Sequence, residues 1–207
     1  MSAKVVCISS QDGAGAQEAA LAVASSLGFP LLDEDIIAKA AVDAGVDEAT
    51  VADVERRKSA LVRLIESLGT AGMGAGYVMT APVPLQDQPG SDALRGLIRS
   101  AIEDSAAAGN AVIVSHAASL ALGGRDDVLR VLITASTPTR EARLASALGV
   151  DEKEASRTLK RSDAGRSDYM KRFYGISEEL PTHYDLVINT DRVSPEAAAE
   201  LIVSAAG

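Results

Sequence analysis

Apolar runs alternate with stretches in which apolar residues recur at helical spacing. Four almost wholly apolar runs predict buried strands, at residues 5–8, 111–114, 128–134 and 186–190, and a short extended piece lies at 29–32. Helices are predicted at residues 16–27, 33–44, 47–68, 91–108, 117–122 and 139–148, and two more begin at Asp151 and Pro195. Short apolar strands separated by helices are typical of a parallel sheet that is covered on both faces.

A glycine turn joins the first predicted strand to the first predicted helix, and it reads Ser9-Ser10-Gln11-Asp12-Gly13-Ala14-Gly15-Ala16-Gln17-Glu18. Free backbone N–H groups and the helix dipole make such a turn a ready anion site. The phosphate-binding loop of nucleotide-binding proteins carries a lysine after its last glycine, followed by Ser or Thr. Here Ala16 and Gln17 hold those positions, so the sequence predicts phosphate binding with a weakened capacity for phosphoryl transfer.

Other polar residues also follow strand ends, where parallel sheets bind their ligands. They are Asp33, the pair Ser115 and His116, and residues 189–191. For His116, a site role and a structural hydrogen-bonding role both stay open. For Asp33, a site role and a helix N-cap role both stay open.

A segment rich in glycine and proline interrupts the pattern. Residues 69–90 hold five glycines and three prolines. Loops of this length in a compact domain are usually functional or disordered.

Charge is distributed unevenly along the chain. The net charge is −9, which argues against general nucleic-acid binding. Residues 153–172 nevertheless hold seven cations and three acids, a local charge of +4 against −13 for the remainder. This basic segment predicts a small polyanionic ligand, and a solvated helix face is the alternative interpretation.

The chain has no apolar run long enough to span a membrane and no signal-peptide pattern at its start, so a cytoplasmic location is expected. Its one cysteine, Cys7, excludes an internal disulfide and a cysteine-cluster metal site, and its place in a strand predicts a core residue. Alanine-rich helices offer a face for a homodimer, although no heptad pattern supports it.

Nearly the whole chain resembles the cytidylate-kinase-like family of P-loop nucleoside monophosphate kinases. Beyond the order of strands, loop and helices, three motifs carry the resemblance: Asp163-x-x-Arg166-x-x-Tyr169, Phe173-Tyr174-Gly175 and the closing Tyr184-Asp185-Leu186-Val187-Ile188-Asn189-Thr190. The resemblance implies an α/β, three-layer P-loop kinase-like fold in one domain over residues 1–207. That fold has a central parallel sheet with helices on both faces, a monophosphate-binding insertion with its flexible part at about 69–90, and a basic lid at about 151–177.

The chemistry implied by the resemblance is transfer of the γ-phosphoryl group of ATP to CMP or dCMP. Mg²⁺ would arrive with the nucleotide, and no protein metal ligands are expected. The implied site residues fall into three groups: Arg161, Arg166 and Arg172 for catalysis; Ser10, Asp12, Gly13, Ala14, Gly15, Ala16, Gln17 and Arg157 for ATP; and Asp33, His116, Asp163 and Arg166 for the acceptor nucleotide.

The chain departs from this family at two cationic positions. Gln17 stands where this branch keeps an arginine in place of the lysine, and Ser115-His116-Ala117 stands where Gly-Arg-Gly or Gly-Arg-Ala is common. A degenerate kinase fold that binds a nucleotide or a protein partner is therefore a second hypothesis. Dinucleotide binding is a third, because Asp33 lies 20 residues after Gly13, but Glu18 stands at its third glycine position.

Overall fold

The computed structural model describes residues 2–33, 91–115 and 118–207. The chain divides into two compact units, one formed by Met1–Leu32 and Gly109–Gly207, the other by Asp33–Ala108. The glycine-rich segment 69–90, the helix predicted at 47–68, all but the first residue of the helix predicted at 33–44, and His116 lie outside the described residues. The prediction of one domain over residues 1–207 stays a prediction.

The larger unit is built on a sheet of five parallel strands. They are β1 (Val5–Ser10), β2 (Leu31–Leu32), β3 (Ala111–Val114), β4 (Val128–Thr134) and β5 (Leu186–Asn189), in the order β2-β3-β1-β4-β5. β1 is central, with Val5 opposite both Ala111 of β3 and Val128 of β4. It runs two residues beyond the predicted end because its pairing with β4 continues to Ser10 and Ile133.

The helices of the described residues are α1 (Ala16–Leu27), α2 (Ser91–Ala108), α3 (Ala118–Ala121), α4 (Thr137–Leu148), α5 (Glu152–Tyr174) and α6 (Pro195–Ala206), with a 3₁₀ turn at Pro181–His183. α2 belongs to the smaller unit and the others to the larger one. No described helix is long and apolar enough to cross a membrane.

Both faces of the sheet are covered. On one face Val6 and Ile8 of β1 pack with apolar residues of α1 and α6. On the other face Val5 and Cys7 are also fully buried. Burial on both faces explains why the strands are continuous apolar runs, and it confirms the predicted three-layer α/β fold.

The helix ends follow their sequence signals. Gly28 ends α1 in the left-handed conformation, with φ of 66°. The Asp151 side chain accepts from the N–H of Glu154, and Ser194 accepts from the N–H of Ala197. α4 begins at Thr137, two residues before the prediction, because Pro138 fits the first turn of a helix.

Candidate phosphate-binding site

The turn between β1 and α1 is a tight loop that requires glycine. Gly13 and Gly15 have φ of 76° and 78°, in the left-handed region that L side chains rarely adopt. The N–H of Ala14 donates to the carbonyl of Gln11 at 3.1 Å and closes the turn. A Cβ on Gly13 would lie 2.5 Å from the carbonyl oxygen of Arg140, so α4 packs directly against this loop.

The loop presents the uncapped start of α1. Gly15 is the N-cap residue and has no side chain to accept the N–H groups of the first turn. These N–H groups and the helix dipole favour an anion. Residues 9–18 contain no lysine or arginine, and exposed Glu18 adds a negative charge to the first turn.

Arg140 of α4 connects the loop to α5. Its Nε donates to the carbonyl of Asp12 at 2.7 Å. Its Nη1 and Nη2 donate to the two carboxylate oxygens of Asp163 on α5, at 3.1 and 2.6 Å. The Arg140 side chain is only 3% exposed, and the bidentate carboxylate compensates its buried charge.

Arg143, one turn later on α4, links the loop to the residue that follows β5. Its Nη1 donates to the carbonyl of Gly13 at 3.3 Å and to Oγ1 of Thr190 at 2.9 Å, and its Nη2 donates to the Thr190 carbonyl at 2.8 Å. Thr190 is buried, and its hydroxyl donates to the carbonyl of Ala14 at 2.7 Å.

Arg166 of α5 contacts the start of the loop. Its Nη1 donates to the carbonyl of Ser10 at 2.8 Å, while Nε and Nη2 donate to the carboxylate of Glu179 at 3.0 and 2.6 Å. The Tyr184 hydroxyl donates to the same carboxylate. Burial raises the pKa of Tyr184, and the hydrogen bond and negative charge of Glu179 raise it further.

Two side chains of the loop are held as well. The Asp12 carboxylate accepts from the hydroxyl of Ser162 on α5 at 2.5 Å. The side-chain oxygen of Gln11 accepts from Oγ1 of Thr134 at 2.8 Å. The loop is therefore fixed by α4, α5 and the ends of β4 and β5, which is the preorganisation that a phosphate site needs.

The structure brings some of the predicted site residues together. Ser10, Asp12, Gly13, Ala14, Gly15, Ala16 and Gln17 form the loop and the start of α1. Asp163 and Arg166 lie on the face of α5 that meets the loop, where Asp163 binds Arg140 and Arg166 binds Ser10 and Glu179.

The remaining predicted residues have other positions. Arg157, Arg161 and Arg172 are exposed on α5. Arg157 pairs with Glu154 at 3.6 Å, and the guanidinium of Arg172 lies over the Phe173 ring at 5.6 Å. Asp33 follows β2 in the chain and belongs to the smaller unit.

The donor set suits a phosphate group better than a protein-held cation. Backbone N–H groups and a helix N-terminus are phosphate donors. Among the residues that the structure describes, no group of three or more His, Cys, Asp or Glu side chains could hold a metal ion. Gln17 also lacks the hydroxyl that Mg²⁺ takes at this position in phosphate-binding loops.

The sequence interpretation missed several residues that hold the loop, among them Arg140, Arg143, Glu179 and Thr190. Two of these residues lie in sequence patterns that could have pointed to them. Arg140 ends the segment Thr137-Pro138-Thr139-Arg140, and Thr190 ends the closing motif. Their side-chain contacts join residues 13 to 176 positions apart, so spacing along the chain could not reveal them.

Comparisons with solved structures agree with this fold. A protein of uncharacterised function from Eubacterium ventriosum is 18% identical, with a TM-score of 0.68 over 98% of this chain and 97% of its own. TT1252 from Thermus thermophilus is 17% identical, with a TM-score of 0.52 over 100% of this chain and 98% of its own. A shikimate kinase from Bacteroides thetaiotaomicron is 16% identical, with a TM-score of 0.49 over 97% of both chains.

Among curated proteins, none matches the chain significantly in sequence. The model of the cytidylate kinase-like family, by contrast, matches residues 5–192, which include all five strands, the glycine loop and α5. The chain therefore belongs to the cytidylate kinase-like family.

Proposed function

We propose that this chain binds ATP through the loop at residues 10–17 and transfers its γ-phosphoryl group to CMP, dCMP or a related nucleoside monophosphate. One observation carries the proposal. The loop keeps the backbone of a phosphate site, with Gly13 and Gly15 at positive φ before an uncapped helix. Membership in the cytidylate kinase-like family supports the kinase interpretation.

The charge for transfer must come from outside the loop. Phosphoryl transfer requires cations near the equatorial oxygens of the moving group. Arg161 and Arg172 are exposed on α5, the basic helix of the proposed lid, and Arg157 is a candidate for contact with ATP. Arg166 is held by Glu179 and Ser10, so it reaches a phosphate only by exchanging those partners. Asp33, His116 and Asp163 are the proposed contacts of the acceptor nucleotide.

The test is an assay of ADP formation with ATP, Mg²⁺ and a panel of nucleoside monophosphates. We expect turnover with CMP or dCMP. Replacing Arg161 or Arg172, the proposed catalytic cations, by alanine should lower kcat by a factor on the order of 10³ or more. Lys153→Ala is the matched control, because Lys153 is an exposed cation at the other end of the same helix. Absence of turnover above background with every acceptor would refute the proposal.

A second candidate function, nucleotide binding without transfer, is favoured by a specific observation. Arg140 and Arg166 are buried, and both are paired with carboxylates and with carbonyls of the loop. The loop itself carries no cation. On this alternative ATP raises the melting temperature through preferential binding to the folded chain, while no ADP forms.

A further inference from the structure

Two carbonyl groups of the phosphate loop point into the protein, towards buried side chains of the larger unit. Arg140 donates to the carbonyl of Asp12, and Thr190 donates to the carbonyl of Ala14. The peptide bonds of the described residues are trans. In a trans peptide the N–H of the next residue points opposite to the carbonyl. The N–H of Gly13 therefore points away from Arg140, and the N–H of Gly15 points away from Thr190.

Thr190 is suited to this task because its own hydroxyl is oriented by a cation. Nη1 of Arg143 donates to Oγ1 of Thr190 at 2.9 Å and occupies an acceptor site of that oxygen. The hydroxyl proton is then free to go to a carbonyl, and the Ala14 carbonyl at 2.7 Å is nearer than the Thr134 carbonyl at 3.2 Å. Charge-assisted chains of this kind polarise one another, so the Ala14–Gly15 peptide gains dipole along its N–H.

We infer that Arg140 and Thr190 are positioning residues, which aim the N–H groups of Gly13 and Gly15 at a nucleotide phosphate and so offset the missing loop cation. This inference rests on the proposed binding of ATP at the loop. Positive charge then acts on the phosphate indirectly, because the Arg143 guanidinium polarises the Ala14–Gly15 peptide through Thr190, while Arg140 orients the Asp12–Gly13 peptide.

Thr190→Val tests the inference, since valine keeps the shape of threonine and removes the hydroxyl. Calorimetric titration with ATP should show affinity reduced about tenfold, the effect of one lost hydrogen bond. Thr190→Ser keeps the hydroxyl and should bind close to the wild type. Ser119→Ala is the matched control, because Ser119 also loses a buried hydroxyl bond, to Ser9, away from the loop carbonyls.

Amide NMR separates positioning from general destabilisation. In the wild type, ATP should shift the Gly13 and Gly15 amide signals. In Thr190→Val the shift at Gly15 should shrink while that at Gly13 persists, whereas simple loss of stability would change both alike. If Thr190→Val does not fold, Arg143→Met removes the orienting cation, and it should also weaken ATP binding and the Gly15 shift.

The outcomes are distinguishable. If folded Thr190→Val binds ATP with wild-type affinity, the inference is overturned and the proposed function stands. If Thr190→Val does not fold, the same result in folded Arg143→Met has the same meaning. A wild-type chain that does not bind ATP overturns both.

Discussion

At the scale of single residues, Gly13 and Gly28 share a left-handed backbone but differ in their surroundings. Their φ values are 76° and 66°. A Cβ on Gly13 would meet the backbone of Arg140, whereas a Cβ on Gly28 would have no atom within 4 Å. The same substitution therefore measures strain alone at Gly28, and strain together with overpacking at Gly13.

We expect Gly13→Ala to lower the free energy of unfolding by roughly 2–4 kcal/mol, through left-handed strain and displacement of α4. Gly28→Ala, the matched control, should cost about 1 kcal/mol because it carries the strain alone. Urea denaturation of both variants checks this. Equal losses in the two variants would contradict the close packing of α4 on the loop.

Gln17 stands where the resemblance to the cytidylate-kinase-like family implies an arginine. It is partly exposed in the first turn of α1, so an arginine fits there without entering the core. We expect Gln17→Arg to tighten ATP binding by roughly ten- to a hundredfold, the effect of a charged hydrogen bond. Gln17→Met controls for the change of side chain. Unchanged ATP affinity in Gln17→Arg would count against the loop geometry.

Sequence patterns identified the atoms of the loop but not what holds them. Gly13 and Gly15 are visible because only glycine adopts their backbone freely. Glu179 is not, because its partner Arg166 lies 13 positions earlier and nothing in either residue type identifies the pairing. The basic segment at residues 153–172 predicted arginines that bind a polyanionic ligand. One of them, Arg166, is only 6% exposed and pairs with Glu179 of the same chain.

At the scale of elements, Asp185 ties the start of β5 to β4. Its carboxylate accepts from the N–H of Arg130 at 2.8 Å and from the Arg130 guanidinium at 3.0 and 2.6 Å. The Arg130 side-chain hydrogen bond is the main cause that holds the pKa of Asp185 below its usual value of 3.8. A lowered pKa in the folded state means that the carboxylate stabilises the fold above pH 3.8, and that this contribution is lost as the pH falls through the folded-state pKa.

Asp185→Asn should therefore lower the free energy of unfolding by about 1 kcal/mol at neutral pH, a figure reduced for solvent screening of a partly exposed pair. The difference from the wild type should shrink as the pH falls below 4, because the wild-type carboxyl then becomes neutral. Urea denaturation across pH checks it, with exposed Asp126→Asn as the control. A difference that stays constant with pH would show that the ion pair contributes nothing.

Element boundaries were predictable where local chemistry sets them. α1 was predicted over its observed residues because Gly28 ends it, and the start of α6 was predicted correctly because Ser194 and Pro195 mark it. β1 was predicted too short because its last two residues, Ser9 and Ser10, are polar and owe their strand conformation to β4. Pairing between distant strands is not visible in a local pattern.

At the scale of the whole molecule, alternation of apolar runs and helices was enough to predict a parallel sheet. Both faces of β1 and β3 are buried, so apolar residues do not alternate with polar ones along these strands. Their continuous apolar sequence therefore indicates a sheet that is covered on both faces. The order β2-β3-β1-β4-β5 is set by crossovers that no single segment encodes. The division into two units likewise depends on contacts distant in sequence.

Cys7 gives the fold an internal reporter. It is the only cysteine, lies in the central strand with no exposed surface, and burial raises the pKa of its thiol to about 12. Since the thiolate is the reactive form, a maleimide or iodoacetamide reagent cannot modify Cys7 until the sheet opens. Alkylation kinetics of the native chain thus report how often the sheet around Cys7 opens. A cysteine placed on the surface would become the one reactive point for attaching a fluorophore.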